Sequence, residues 1–219
     1  MARNKYPEIT EERILEVAER LFLEKGFEQT TIQDIVDALG DLTKGAVYHH
    51  FKSKEEIIDA VSDRMFLRSN PFAAAAKRSD LNGLEKIRES IRLNQRDEER
   101  MAITVQSMPI LENPRFLAEM IKENQKTLVP YLRKFIEEGI QDGSIHTEYP
   151  QELAEVMILL TGLWMVPAVY PASAEQMLRK FRFIGELLDN MGLPLVDEAM
   201  LQELKPYFEE IEQEQQKNT

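Results

Sequence analysis

The segment 43–54 carries the side chains whose types and spacing best suit chemistry, namely contact with a polyanion. Gly45 and Ala46 follow Lys44 there, and such small residues at a helix start let the backbone approach another surface closely. The segment holds three lysines and no acidic residue, and lysine, tyrosine and histidine side chains suit phosphate oxygens. It therefore predicts a short helix that can enter the major groove of DNA end-on, as the second helix of a helix-turn-helix does.

Three helices are predicted to position this segment, because apolar residues recur at intervals of three and four in the first 51 residues. Thr10 is expected to cap the first helix and Gly26 to end it. Thr31 with Asp34 has the spacing of a capping box at the start of the second helix. Thr43 is expected to cap the third.

The rest of the chain is also expected to be helical, beginning with a capping box of Ser53 and Glu56. The Asn70-Pro71 pair interrupts the pattern, and Pro130 is expected to kink or split its helix near Val129. Further helices are predicted near 81–95, 98–111, 114–142, 150–168, 174–191 and 196–211. The fold class is therefore all-α, with no membrane span, since the longest apolar stretch is shorter than the ~20 residues a span needs.

The composition bounds the cellular setting and the partners. The 219 residues contain no cysteine, which excludes disulfides and thiolate metal sites and fits a reducing compartment. No signal sequence opens the chain, so a cytoplasmic location is expected. The net charge is −12, but residues 1–54 contribute only −2 and the remainder −10. A local basic surface can therefore bind DNA although the whole protein is acidic.

Enzyme chemistry and metal binding are not predicted. The sequence contains no G-x-G-x-x-G, P-loop, H-E-x-x-H or G-x-S-x-G motif, so we assign no catalytic residue and no cofactor. His49 and His50 are adjacent on a predicted helix and point about 100° apart, so they do not converge on one ion. Contact of His49 with phosphate, and packing or solvent contact of His50, are the favoured interpretations.

The first helices and the segment 43–54 together form a family pattern. Residues 10–58 resemble the DNA-binding domain of the TetR (tetracycline repressor-like) family of bacterial transcription regulators. The turn 39–43 is one residue longer than is usual in that family, and His50 stands where the family commonly has a second aromatic. The matching residues are Ile14-Leu15, Ala18, Leu21-Phe22, Gly26-Phe27, Thr30-Thr31-Ile32, Ile35 and the run from Lys44 to Glu55.

The resemblance implies a helix-turn-helix domain over residues 1–52 and a helical ligand-binding and dimerisation domain over residues 53–219. It implies a homodimer that binds double-stranded operator DNA, most often as a repressor, and leaves it when a small molecule binds. Base edges would be contacted by Lys44, Gly45 and Ala46, at the helix that Thr43 caps. Phosphates would be held by Thr31, Tyr48, His49 and Lys54.

Residues for an apolar or amphipathic effector are also inferred mainly from the resemblance. Methionine and aromatic side chains suit adaptable apolar pockets, although each candidate could equally belong to the ordinary core. The candidates are Met101, Val105, Met108, Phe116, Met120, Trp164 and Tyr170.

The dimer interface is expected on the helices near 150–168 and 174–191, which are more apolar than one buried face requires. Burial within a larger monomeric bundle is the alternative, and the resemblance favours the dimer. The candidate interface residues are Ala154, Ile158, Gly162, Met165, Phe181, Gly185 and Leu188.

One rival interpretation is a helical bundle that has lost its DNA contacts and binds only a protein partner or a ligand. The acidic net charge and the longer turn favour this rival slightly, and an enzyme is a more distant third.

Overall fold

The computed structural model describes residues 7–68 and 70–217, and within these ranges the chain is helical with no β-strand. None of the described helices is both long and apolar enough to cross a bilayer. A 3₁₀ helix at Met108–Glu112 follows α7, and a π-helix at Leu160–Trp164 follows α9. The α-helices are α1 Pro7–Lys25, α2 Ile32–Leu39, α3 Lys44–His50, α4 Lys54–Arg68, α5 Pro71–Ala76, α6 Gly83–Arg96, α7 Glu98–Ser107, α8 Pro114–Asp142, α9 Pro150–Leu159, α10 Ala174–Asn190 and α11 Glu198–Lys217.

The helices form two compact units. The first unit combines α1–α4 with α7, and the second combines α5, α6 and α8–α11. Within the first unit α7 packs on both α1 and α4, although α7 is separated from them in the chain by α5 and α6. The domain boundary predicted between residues 52 and 53 stays a prediction. In the structure α4, which begins just after it, packs with α1.

The first unit is built around the apolar positions that the helical periodicity predicts. Ile14 and Phe22 of α1, Ile35 of α2 and Val47 of α3 are fully buried. Ile57 of α4 completes the same core. Because these residues lie on one face of each short helix, the opposite faces of α2 and α3 remain available to solvent.

The second unit contains a close helix crossing between α6 and α8. A Cβ on Gly83 would lie 2.2 Å from the backbone nitrogen of Gly139, so only glycine allows this approach. The amide of Gly83 donates to Asp142 Oδ2 at 2.8 Å, and the carboxylate so caps the start of α6. The crossing holds α6 against the C-terminal part of α8.

Several local predictions are confirmed. Thr31 with Asp34 and Ser173 with Gln176 form complete capping boxes. Thr43 caps α3 through its hydroxyl. At the fourth helix only half of the predicted box forms. The Glu56 amide donates to Ser53 Oγ, whereas the Glu56 carboxylate accepts from the amide of Lys52.

Other local predictions are wrong. Thr10 does not cap α1, because the helix already begins at Pro7 and Thr10 is buried inside it. Asn70-Pro71 begins a helix, since the Asn70 side chain accepts from the amides of Phe72 and Ala73 and proline fits the first helical position. The helix predicted over 150–168 ends at Leu159 and continues as the π-helix.

Pro130 does not split its helix. Helix α8 is continuous over Pro114–Asp142. Pro130 itself is exposed, while Val129 and Leu132 beside it are buried. Burial of the flanking residues offsets the hydrogen bond that proline removes.

Candidate nucleic-acid interface

Helix α3 is fixed by its cap and by its buried face. The Thr43 hydroxyl accepts from the amide of Ala46 at 3.2 Å. Val47 is fully buried in the first unit, and Phe51 directly after the helix is also buried. The remaining face is free, because Tyr48 is 45 % exposed. The predicted base-contacting and phosphate-contacting residues of α3 therefore lie on one accessible helix.

Gly45 lies near the start of this exposed face, and nothing inside the protein requires a glycine there. An added Cβ would meet only Thr43 Oγ1, at 3.9 Å, which is an ordinary van der Waals distance. Its φ is not in the left-handed region, which the structure reserves for Gly26, Gly40, Gly143 and Gly192. The missing side chain thus leaves the α3 backbone open to an external surface.

The three lysines of the segment 43–54 have different surroundings. Lys44 and Lys52 are exposed, one at the first residue of α3 and the other two residues after its end. The Lys54 ammonium instead donates to the carbonyl oxygen of Phe27 at 2.8 Å and lies 4.1 Å from the centre of the Phe27 ring. Its role as a phosphate contact stays a prediction. Lys52, which the sequence analysis did not select, is an additional candidate that its position in the basic segment could have indicated.

Thr31 is exposed at the start of α2, and its polar atoms are engaged with Asp34. The Thr31 hydroxyl donates to Asp34 Oδ2 at 2.6 Å and accepts from the Asp34 amide at 3.1 Å. The hydrogen bond from the Thr31 hydroxyl is the main cause that lowers the pKa of Asp34 to about 2, with the Thr31 amide and Lys25 adding to it. A phosphate at this position would have to compete with Asp34 for the hydroxyl of Thr31.

The turn between α2 and α3 is tied to α1 by one ion pair. Both guanidinium nitrogens of Arg13 donate to the Asp41 carboxylate, at 2.7 and 3.0 Å. These hydrogen bonds lower the pKa of Asp41 and raise that of Arg13. Asp41 belongs to the turn that is one residue longer than the family pattern. The additional length is thus accommodated by an anchor on α1.

The two adjacent histidines differ in exposure. His49 is exposed, whereas the side chain of His50 is 9 % exposed and its Nδ1 lies 3.9 Å from a Glu11 carboxylate oxygen. Their rings meet edge to face at 5.5 Å between centroids. In the part of the chain that the structure describes, no group of three histidine, cysteine or carboxylate side chains could hold a metal.

A charged network that the sequence analysis missed joins α1 to α4. The buried Glu19 carboxylate accepts from Arg64 and, at 3.0 Å, from Arg68. Arg64 also donates to Glu12. Residues 45 to 52 positions apart pair here, so no local sequence signal announces the network. It orients α4, whose first turn follows α3 directly.

The comparisons with known proteins agree with this architecture. The family model of bacterial regulatory proteins, tetR family, matches residues 14–61, which span α2, α3 and most of α1 and α4. The HTH-type transcriptional repressor KstR2 of Rhodococcus jostii is 31% identical over 150 residues, covering 64% of this chain and 70% of KstR2. The chain belongs to the TetR family. It is a DNA-binding transcriptional regulator and not an enzyme.

Two solved structures share the fold of this TetR-family chain. A TetR-family transcriptional regulator from Pectobacterium atrosepticum superimposes with a TM-score of 0.63 at 20% identity, covering 88% of this chain and 98% of that one. RolR in complex with the ligand resorcinol superimposes with a TM-score of 0.58 at 18% identity, covering 93% and 96%. The similarity extends over both units and so concerns the whole helical architecture.

The candidate effector residues of this TetR-family chain fall in both units. Met101 and Val105 lie on α7 and are buried in the first unit. The other candidates belong to the second unit, where Phe116 is buried and Tyr170 is 47 % exposed. Trp164 borders an open groove of about 440 Å³, together with Lys180 and Phe183. Lys180 donates to the carbonyl oxygens of Trp164 and Tyr170, and burial lowers its pKa.

The candidate dimer residues are mostly internal. Ala154, Phe181 and Leu188 are buried within the second unit, and a Cβ on Gly185 would lie 2.6 Å from Val196 Cβ. A second copy of the chain could not contact these side chains without opening the unit. Ile158, Gly162 and Met165 are half-buried.

The large apolar side chains that the second unit leaves exposed on α9 and α10 are different ones. Val156 and Leu159 are one turn apart on α9, and Phe183 lies on α10. The Trp164 ring meets the Phe183 ring at 5.8 Å and links the two helices. The spacing of three between Val156 and Leu159 could have indicated this face.

Proposed function

We propose that this TetR-family regulator is a homodimeric repressor that binds operator DNA through α2 and α3 of each copy and releases it when an apolar or amphipathic molecule binds the second unit. Repression is supported by the relative from Rhodococcus jostii, which is named a transcriptional repressor. Release follows from geometry. A dimer whose two reading heads move apart cannot match two half-sites held at a fixed spacing.

The observation that carries the DNA-binding role to particular residues is the open space at Gly45. The glycine costs helix stability, and neither packing nor backbone conformation repays it inside the protein. A close approach by base edges would make the missing Cβ useful. The exposed Lys44 directly before it supplies donors for guanine acceptors in the major groove.

Gly45→Ala tests this role because its two effects have opposite signs. Alanine stabilises a helix relative to glycine by up to about 1 kcal/mol, so the thermal unfolding temperature should stay equal or rise. Affinity for a duplex selected from a random pool by the wild-type protein should fall about tenfold or more, because the added methyl meets DNA.

The control is Ala118→Val, which adds bulk at an exposed position of α8 in the second unit. It should leave duplex affinity unchanged. Undiminished duplex affinity in Gly45→Ala would contradict close approach at this position.

The homodimer is supported by the exposed side chains Val156, Leu159 and Phe183. Contiguous apolar surface of this kind marks an interaction site in soluble proteins. Two half-sites on the DNA would then face two copies of α3. The dimer also gives the ligand its leverage, because the separation of the heads depends on how the copies are joined.

Effector release can be measured through Trp164, the single tryptophan of the chain. RolR holds resorcinol, so phenols including resorcinol, together with medium-chain fatty acids, form a reasonable first panel. A compound that changes Trp164 emission should weaken the selected duplex, and the duplex should weaken the compound by the same factor. Met120→Ala should change the affinity for the compound and leave ligand-free duplex binding intact. A compound that quenches Trp164 without altering duplex affinity would contradict release by that compound.

A further inference from the structure

The turn between α1 and α2 receives a hydrogen bond that the usual helix ending would not need. Gly26 follows α1 in the left-handed conformation, with φ 86°, and its amide returns to the carbonyl of Phe22 at 2.9 Å. The next amide, that of Phe27, does not return to the helix. It donates instead to Gln106 Oε1 on α7 at 2.7 Å. A side chain 79 positions away therefore completes the helix ending.

The carbonyl side of Phe27 is held as well. Its oxygen accepts from the Lys54 ammonium at 2.8 Å and from the amide of Thr30 at 3.2 Å. The ring is buried and meets Phe22 edge to face at 5.5 Å. Phe27 is thus gripped by α7 through its amide and by α4 through its carbonyl.

This grip lies directly before the predicted DNA-contacting surface. Thr31 caps α2 four residues after Phe27, and the fully buried Thr30 between them donates to the carbonyl of Gly26 at 2.8 Å. Few torsions remain free between Phe27 and the start of α2. A displacement of the Phe27 amide would therefore be transmitted to Thr31.

Helix α7 differs from the other helices of the first unit in its chain connections. Its two ends continue into residues of the second unit, at Asp97 on one side and at Met108 on the other. Gln106 is two residues before Met108, which is one of the candidate effector residues. A change in the backbone at Met108 therefore has a short covalent route to the side chain that holds Phe27.

We infer that Gln106 is a positioning residue for DNA binding, whose carboxamide holds the α1–α2 turn so that Thr31 and α2 are presented to phosphate. This inference rests on the proposed function for its DNA-binding consequence. The hydrogen bond to Phe27 itself can be measured without DNA.

The experiment compares Gln106→Ala and Gln106→Asn with Gln106→Glu. Alanine removes the acceptor, asparagine is one methylene too short to reach, and glutamate keeps an acceptor at the same length. Thr104→Ala on the same helix is the control. Amide hydrogen exchange by NMR should show at least about tenfold faster exchange of Phe27 in the first two variants and near wild-type exchange in the other two.

Duplex binding gives the second readout, on a duplex selected by the wild-type protein. Alanine and asparagine at position 106 should lower affinity about tenfold. They should also reduce the slope of log affinity against log salt by about 0.9, because one phosphate contact is lost. Glutamate should restore both. A general loss of stability would lower affinity without this change of slope and without rescue by glutamate.

The outcomes separate the two hypotheses. If the wild-type protein selects no duplex, the proposed function fails. If the wild-type protein binds and Gln106→Asn binds equally well with the same salt slope, the positioning role is overturned. Unchanged exchange of the Phe27 amide in Gln106→Asn would overturn it as well, whatever the DNA result.

Discussion

Helix α3 of the first unit and helices α9 and α10 of the second each present a surface that their own unit does not cover. The α3 surface is small and basic, with Gly45 between the exposed Lys44 and Tyr48. The α9–α10 surface is large and apolar, with Leu159 47 % and Phe183 53 % exposed. The difference teaches what each surface fits. Close approach and positive charge suit a phosphate backbone, whereas exposed rings and branched chains suit another apolar face.

The two surfaces should also respond differently to solution conditions. Contacts with phosphates release counterions, so affinity falls steeply as salt rises. Apolar burial contributes roughly 25 cal/mol per Å² and depends little on salt at moderate concentrations. We therefore expect duplex binding to weaken between low and physiological salt while self-association persists.

The largest effect is expected on the apolar surface. Phe183→Glu places a charge on the exposed face of α10 and should raise the dimer dissociation constant roughly 30- to 1000-fold, as loss of an aromatic interface anchor does. Sedimentation velocity would then show monomers that remain folded by circular dichroism. Phe183→Leu is the matched control and should stay dimeric.

Phe181→Glu sharpens the same comparison. Phe181 is 7 % exposed and its ring lies 6.2 Å from that of Phe208 within the unit. Its replacement should destabilise the fold by several kcal/mol and not merely dissociate the dimer. A folded monomer from Phe181→Glu together with a dimeric Phe183→Glu would restore the interface first predicted for Phe181.

A smaller effect is expected from Lys44→Ala on the α3 surface. Loss of a base-edge contact costs about 1–3 kcal/mol of discrimination. Affinity for the selected duplex should fall, while affinity for random duplexes should fall less, so the sequence preference relaxes. Fluorescence anisotropy with both duplexes measures the ratio. An equal loss on both would assign Lys44 to the phosphates.

The smallest effects separate Lys52 from Lys54. Lys52→Ala should lower affinity for every duplex and reduce the salt slope by about 0.9, because an exposed ammonium near phosphate is removed. Lys54→Ala should instead lower the free energy of unfolding by about 1–3 kcal/mol, because the carbonyl of Phe27 loses a charged donor. Its salt slope should stay near wild type. An equal drop in slope for Lys54→Ala would mean that the ammonium leaves Phe27 when DNA binds.

The sequence by itself determined the helical class and the local ends of the helices. Capping boxes such as Thr31 with Asp34 join residues three positions apart, so they form wherever the local chain can become helical. The same locality made the segment 43–54 recognisable, because α3 and the start of α4 lie within a dozen residues. Apolar periodicity likewise predicted the buried face of α3 correctly at Val47 and Phe51.

Only the tertiary structure decided which partner each exposed or polar side chain meets. Arg13 reaches Asp41, Lys54 reaches Phe27 and Gln106 reaches Phe27, over separations of 28, 27 and 79 positions. Periodicity states which residues share a helix face, but it does not state which neighbour covers that face. Phe181 and Phe183 lie about 200° apart on one helix, so both faces of α10 are apolar, and only the packing of the second unit buries one and leaves the other exposed.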